Sequence, residues 1–175
     1  MFLDPEEDED GLGFCFHWKG QIPALTLTNW GRGDGKLGSA LLPVEFALDS
    51  RNPPSASQQS AFEWFCAHLD ETLPRIQKAC ERSWKECYYW EGNEMTEDDG
   101  YFIEGIRIPP NNASEWTMNP RDPSLPALII VDLKQDWEVE HGFYVVLDPV
   151  RESGDCWTTW DGLSDMGLVY EEEDD

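Results

Sequence analysis

Apolar side chains return every three or four positions between Phe62 and Cys87, at Phe62, Phe65, Cys66, Leu69, Leu73, Ile76, Cys80, Trp84 and Cys87. That spacing draws one apolar stripe along a helix. Asn52-Pro53-Pro54-Ser55 breaks the chain ahead of it, and Ser55 or Ser57 suits an N-cap. Pro74 interrupts the stripe, because proline has no amide proton to donate and crowds the preceding turn. The pattern therefore predicts one long or Pro-kinked helix pair over about residues 56–89, its two parts meeting near Thr72–Pro74.

Elsewhere the period is two. Phe14-Cys15-Phe16-His17-Trp18 alternates as a half-buried strand does, and Gln21 to Trp30 reads as a second strand with Pro23 at its start or edge. Leu42, Val44, Phe46 and Leu48 make a third, and the three would form a meander. Tyr101 to Ile108 and Phe143 to Leu147 are further strands. Ala127 to Val131 is almost wholly apolar, which fits a central strand buried on both faces. Leu168, Val169 and Tyr170 are the last apolar residues and would close the sheet. Residues 31–35, 91–100 and 109–126, the last with five prolines, read as loops. The fold class is α+β, a mainly antiparallel sheet packed against the helix pair. Residues 1–12 are expected as an acidic disordered tail, 13–170 as a single domain, and 171–175 as a second acidic tail.

Composition narrows the picture. A chain of 175 residues with 40% apolar and 13% aromatic content is too rich in core formers to be disordered. No stretch approaches the ~20 apolar residues of a membrane-spanning helix. The acidic segment Met1 to Asp10 lacks the basic start and apolar run of a secretory signal, so a cytoplasmic setting is expected. Cys15, Cys66, Cys80, Cys87 and Cys156 show no C-x-x-C spacing. Cys66, Cys80 and Cys87 are expected near one helical face as buried reduced thiols.

Net charge is −24, from twelve basic and thirty-six acidic residues. Residues 1–10 contribute −6 and residues 171–175 contribute −5, which leaves −13 on residues 11–170. The body is therefore acidic in its own right. Such a field repels nucleic acid and anionic membrane and draws basic surfaces. Four of the twelve basic residues, Arg75, Lys78, Arg82 and Lys85, lie in the helical stretch.

The densest polar cluster is Asp132, Asp136, Glu138, Glu140 and His141. A histidine among carboxylates suits a divalent metal or acid–base work. A second histidine would have to come from His17 or His68, and neither His-x-His nor H-E-x-x-H occurs. The expectation is no catalytic residue, no metal and no cofactor, with His141 hydrogen-bonded at a structural corner and Gly142 taking a turn that other residues avoid. Trp18, Trp64 and Trp84 fit the core, whereas Trp116, Trp157 and Trp160 lie in loop-like, polar surroundings. Exposed tryptophans are enriched at binding hot spots.

Three stretches carry a resemblance: Pro54-Ser55-Ala56-Ser57-Gln58-Gln59-Ser60-Ala61-Phe62 at the opening of the helix, Trp137-Glu138-Val139-Glu140-His141-Gly142-Phe143 before a strand, and the early Phe16-x-Trp18-x-Gly20 turn. Together they resemble an uncharacterised bacterial family of small acidic α+β domains with a W-[DE]-x-E-H-G motif, over roughly residues 14–170. The resemblance implies a fold and no established reaction. It places Trp137, Glu138, Glu140, His141 and Gly142 in a structural motif. Similar small acidic domains occur among immunity proteins, which neutralise toxins of rival bacteria.

The reading that follows is a non-enzymatic, immunity-like or inhibitory module that docks on a basic protein partner such as a toxin. Its expected binding residues are Trp157, Trp160, Asp161 and Asp165, with Glu97, Asp98 and Asp99. One alternative is a nucleic-acid mimic that blocks a DNA-binding groove. Another is an enzyme or metal site centred on His141 with Glu140 and Asp136. Direct nucleic-acid binding and membrane association are not expected, and the oligomeric state is open.

Overall fold

A computed structural model describes residues 6–7, 14–18, 44–48, 54–87, 101–111, 121–135 and 142–168. Seven strands form one sheet in sequence order: β1 (Glu6–Glu7), β2 (Phe14–Trp18), β3 (Val44–Leu48), β4 (Tyr101–Arg107), β5 (Ile129–Gln135), β6 (Phe143–Leu147) and β7 (Cys156–Thr158). Helices α1 (Ala56–Ala67) and α2 (Leu69–Cys87) connect β3 to β4, and the short α3 (Trp160–Asp165) follows β7. The fold class is α+β. Five pairings run antiparallel. The sixth, β3 with β4, is parallel, Val44 lying opposite Ile106. A parallel pair needs a long crossover, and the two helices supply it.

Side-chain alternation sorts residues to the two faces. Ile129, Val131 and Leu133 of β5 and Phe143, Val145 and Leu147 of β6 point to the helices, where they meet Ala61, Phe65, Ile76 and Cys80 in the main core. Phe62 of α1 meets Phe46 of β3 edge-on at 5.8 Å. Each fully buried side chain of this size adds about 1.5–3 kcal/mol. The intervening Ile130, Tyr144 and Val146 point the other way and join Leu163 of α3 in a smaller cluster. The apolar run seen in the sequence is thus buried on both faces, although the strand begins two residues later than expected.

Ser55 caps α1 reciprocally: its hydroxyl accepts from the Gln58 amide, and the Gln58 side chain accepts from the Ser55 amide. Gln58 is fully buried, and its Nε2 donates to the Ile108 carbonyl at 2.8 Å, which ties the helix start to the end of β4. The helices meet at His68, not near Thr72–Pro74. The His68 amide closes α1 on the Trp64 and Phe65 carbonyls, and its carbonyl receives both the amide and the hydroxyl of Thr72. Pro74 sits inside α2. It is tolerated because Pro74 and Asp70, whose carbonyl loses its usual helical partner, are both exposed in the first turns of α2.

The break at His68 also corrects the cysteine reading. The stripe is not continuous through it, so Cys66 is exposed while Cys80 is buried. Glu6–Glu7 pairs with Cys15 and Phe14 inside the stretch expected as a disordered tail, since ladder pairing uses backbone groups that an acidic sequence still possesses. Among the described residues the last strand of the sheet is Cys156–Thr158, and Leu168, expected to help close the sheet, packs on the smaller cluster, while Val169 and Tyr170 lie outside the described residues. The strand expected over residues 21–30, the loops at 31–35 and 91–100 and the 171–175 tail lie outside the described residues.

Candidate interaction surface

Charge is distributed differently on the two sides of the sheet. On the helix side, residues 54–87 hold five acids (Glu63, Asp70, Glu71, Glu81, Glu86) and four bases (Arg75, Lys78, Arg82, Lys85). Three of those bases are engaged within the fold. Arg75, Lys78, Arg82 and Glu86 follow one another at three- and four-residue steps along α2 and meet the segment 148–157 as a polar seam. Arg75 grips Asp155 with Nε and Nη2, both at 2.7 Å, and Nη2 also donates to the Asp148 carbonyl at 2.8 Å. Lys78 pairs with Glu152 at 3.3 Å, Arg82 donates to the Asp155 carbonyl at 3.1 Å, and Glu86 accepts from the Trp157 indole at 2.8 Å.

A second fork lies beside the seam. Arg121 donates to both oxygens of Asp148, at 2.7 and 3.2 Å, and to the Pro126 carbonyl at 2.7 Å. The Asp148 carboxylate is 3% exposed and also accepts from the Val150 amide at 2.8 Å. Burial pushes its pKa up, but the Arg121 fork and the amide donors outweigh that and hold it below the ordinary carboxylate value. Arg75 is shifted upward, first through its hydrogen bond with Asp155. The Arg75 guanidinium also lies 5.1 Å from the Trp64 ring, whose other stacking partner is His68 at 5.1 Å.

The face away from the helices is built differently. Strand register sets Glu45 opposite Arg107, Asp132 opposite Tyr144, and Tyr144 opposite Thr158. A β-bulge between Ile103 and Gly105 inserts Glu104 beside Asp132. Arg107 reaches Glu45 at 3.7 Å and Asp132 at 3.6 Å, longer than direct hydrogen bonds, and its guanidinium rests 5.6 Å from the Trp160 ring. Trp160 meets Tyr144 at 6.0 Å. Burial raises the Asp132 pKa; Arg107 opposes this, and Glu104 and Glu45 add to it. Tyr144 is raised as well, first by burial and then by the Asp132 charge. With the exposed Asp161 and Asp165 of α3, which packs on this side, the residues of this face whose side chains are described include five carboxylates and one guanidinium.

The residues expected to bind a partner are brought only partly together. Trp157, Trp160, Asp161 and Asp165 lie within ten residues at the sheet edge, in a strand and a helix rather than in a loop. The two tryptophans serve opposite faces. Trp157 stacks on Phe143 at 6.0 Å in the main core, while Trp160 belongs to the smaller cluster. Period-two alternation through Cys156-Trp157-Thr158 is too short to have revealed this. Glu97, Asp98, Asp99, Trp116, Asp136, Trp137, Glu138, Glu140 and His141 lie outside the described residues. Gly142 is described, and its φ of +64° is the left-handed turn expected of it. Its missing Cβ also leaves room for the Tyr144 ring. Glu45, Glu104, Arg107 and Tyr144 were not singled out from sequence. The available signal was a charge between apolar neighbours within a strand, as in Val44-Glu45-Phe46.

Among the described residues no group of three or more His, Cys, Asp and Glu side chains is arranged to hold a metal ion, and no helix is long and apolar enough to cross a membrane. The chain matches no family model, no curated protein and no solved structure.

Proposed function

We propose that the chain is a non-enzymatic interaction module that binds a basic protein partner, in the manner of an immunity or inhibitory protein. The observation that supports this is the charge asymmetry between the two sides of the sheet. The helix side is nearly balanced, and most of its cations are engaged in the seam with residues 148–157. Among the residues whose side chains are described, the open face and α3 hold Glu45, Glu104, Asp132, Asp161 and Asp165 against Arg107.

Acidic complementarity of this kind speeds association and selects partners by sign of charge. The half-buried Trp160 supplies flat apolar area next to the carboxylates, the pairing that accepts a lysine or arginine side chain along its stem as well as at its head. Within this reading Trp160, Asp161 and Asp165 keep their expected role, and Trp157 contributes by fixing the edge strand on the core.

The test is capture from a lysate of the source cell on immobilised protein at low salt, run beside a variant with Glu104→Lys, Asp161→Lys and Asp165→Lys. All three positions are exposed, so the fold should survive the changes. A basic protein retained by the natural sequence, released as salt rises and ignored by the variant supports the reading. Equal retention by both proteins, or retention insensitive to salt, refutes it.

A further inference from the structure

Residues 149–168 are attached to the rest of the chain in an unusual way. Val150 to Gly154 are exposed, and their 3₁₀ turn (Glu152–Gly154) has no side-chain cap. The strand that follows has three residues and the helix six. Leu163 is the one apolar residue of this segment that is fully buried, and it sits in the smaller cluster with Ile130, Tyr144 and Val146. The main core holds Trp157 only as a partly buried neighbour. Much of the attachment is instead polar and runs along one face of α2, through Arg75, Lys78, Arg82 and Glu86.

We propose that residues 149–168 form a strap that opens and closes as one unit, with Arg75 as its latch on α2. Local opening draws on segments with few buried apolar contacts and leaves the larger core closed. The strap meets that description, since β5 and β6 are held by the main core on the helix face whether or not β7 is in place.

The latch is the strongest polar link in the seam. Arg75 holds Asp155 by a two-point fork, and both side chains are nearly buried, at 12% and 7% exposure. The same guanidinium holds the Asp148 carbonyl, and the Asp148 amide donates to Asp155 at 2.9 Å. Both ends of the eight-residue turn from Asp148 to Asp155 are thus fixed by one arginine. Lys78–Glu152, at 75% and 62% exposure, adds little by comparison. Trp160, Asp161 and Asp165 ride on the strap. Under the interaction function proposed above, the latch would therefore set the fraction of molecules ready to bind.

Hydrogen exchange of the uncomplexed protein, read by mass spectrometry at low denaturant, tests the strap independently of any partner. In the natural sequence, amides of 156–158 and 163–168 should exchange through one shared opening, faster and with a smaller denaturant slope than amides of 129–133 and 143–147. Asp155→Asn or Arg75→Lys, each of which breaks the two-point fork, should speed exchange of 156–168 by about 10- to 100-fold, the effect of losing charge-assisted hydrogen bonds. Exchange of 129–133 should stay within a few-fold. Gly162→Ala, whose new Cβ would collide with the Thr158 side chain, should loosen the same amides without touching the seam. The proposal is overturned if the strap and the core strands exchange with one common rate and slope in the natural sequence, or if both variants accelerate all segments equally.

Discussion

Arg121→Ala would strip Asp148 of its fork. In the native protein the Asp148 carboxylate is 3% exposed and Arg121 13% exposed, with contacts of 2.7 and 3.2 Å. Removing one member of a buried pair strands the other charge at a cost of about 3–5 kcal/mol. The Val150 amide at 2.8 Å and the Arg151 guanidinium at 3.5 Å remain, so the lower end of that range applies. Arg121 also releases the Pro126 carbonyl. A loss of about 3 kcal/mol in a domain of this length lowers Tm by roughly 6–12 °C. Urea unfolding at pH 7 gives the value directly. The pH dependence supplies a second reading. Asp148 is held below its unfolded value of about 4, so its contribution is complete above that pH and is lost as pH falls further. The gap between the natural sequence and Arg121→Ala should therefore narrow below about pH 4. A loss under 1 kcal/mol, or a gap that does not close in acid, would refute the argument.

Other outcomes follow from the same geometry. Gln58→Leu should cost about 1–3 kcal/mol in urea unfolding, because it leaves the Ile108 carbonyl and the Ser55 amide without their partner. Lys78→Ala, at an exposed pair, should change stability by less than about 0.5 kcal/mol. Asp132→Asn should raise stability at pH 7, by less than about 1 kcal/mol. The folded Asp132 pKa lies above its unfolded value, so the ionised form opposes folding, and the gain should vanish as pH is lowered towards 4. In native protein Cys66 should react with iodoacetamide while Cys80, buried and with its thiol pKa pushed up by burial, stays unmodified until the chain unfolds.

Periodicity located the larger elements well. The stripe beginning at Phe62 marked the helices, and Phe143 to Leu147 matches β6 residue for residue. The position of the helix break was not legible, because Pro74 is a stronger local signal than His68. What decides the matter is tertiary: Thr72 is buried and bonds back to the His68 carbonyl, while Pro74 faces water. β7 and α3 escaped notice because three and six residues hold too little pattern. The charged face was partly legible. Asp132 was singled out in the polar cluster with His141, but its association with Glu45 depends on the parallel pairing that sets Glu45 opposite Arg107, 62 positions away, and that with Glu104 on a bulge. The basic cluster of α2 was visible as a list of residues. Its use, gripping 148–157, was not, since Arg75 and Asp155 are 80 positions apart.

Glu104→Lys, Asp161→Lys and Asp165→Lys together reverse the charge on the open side of the sheet, and comparing that variant with the natural sequence on a salt gradient is the most direct measurement. The proposed role of the open face requires that a basic partner bind the natural sequence at low salt, leave as salt rises and fail to bind the variant. Binding of the same strength to both, at every salt concentration, would contradict it.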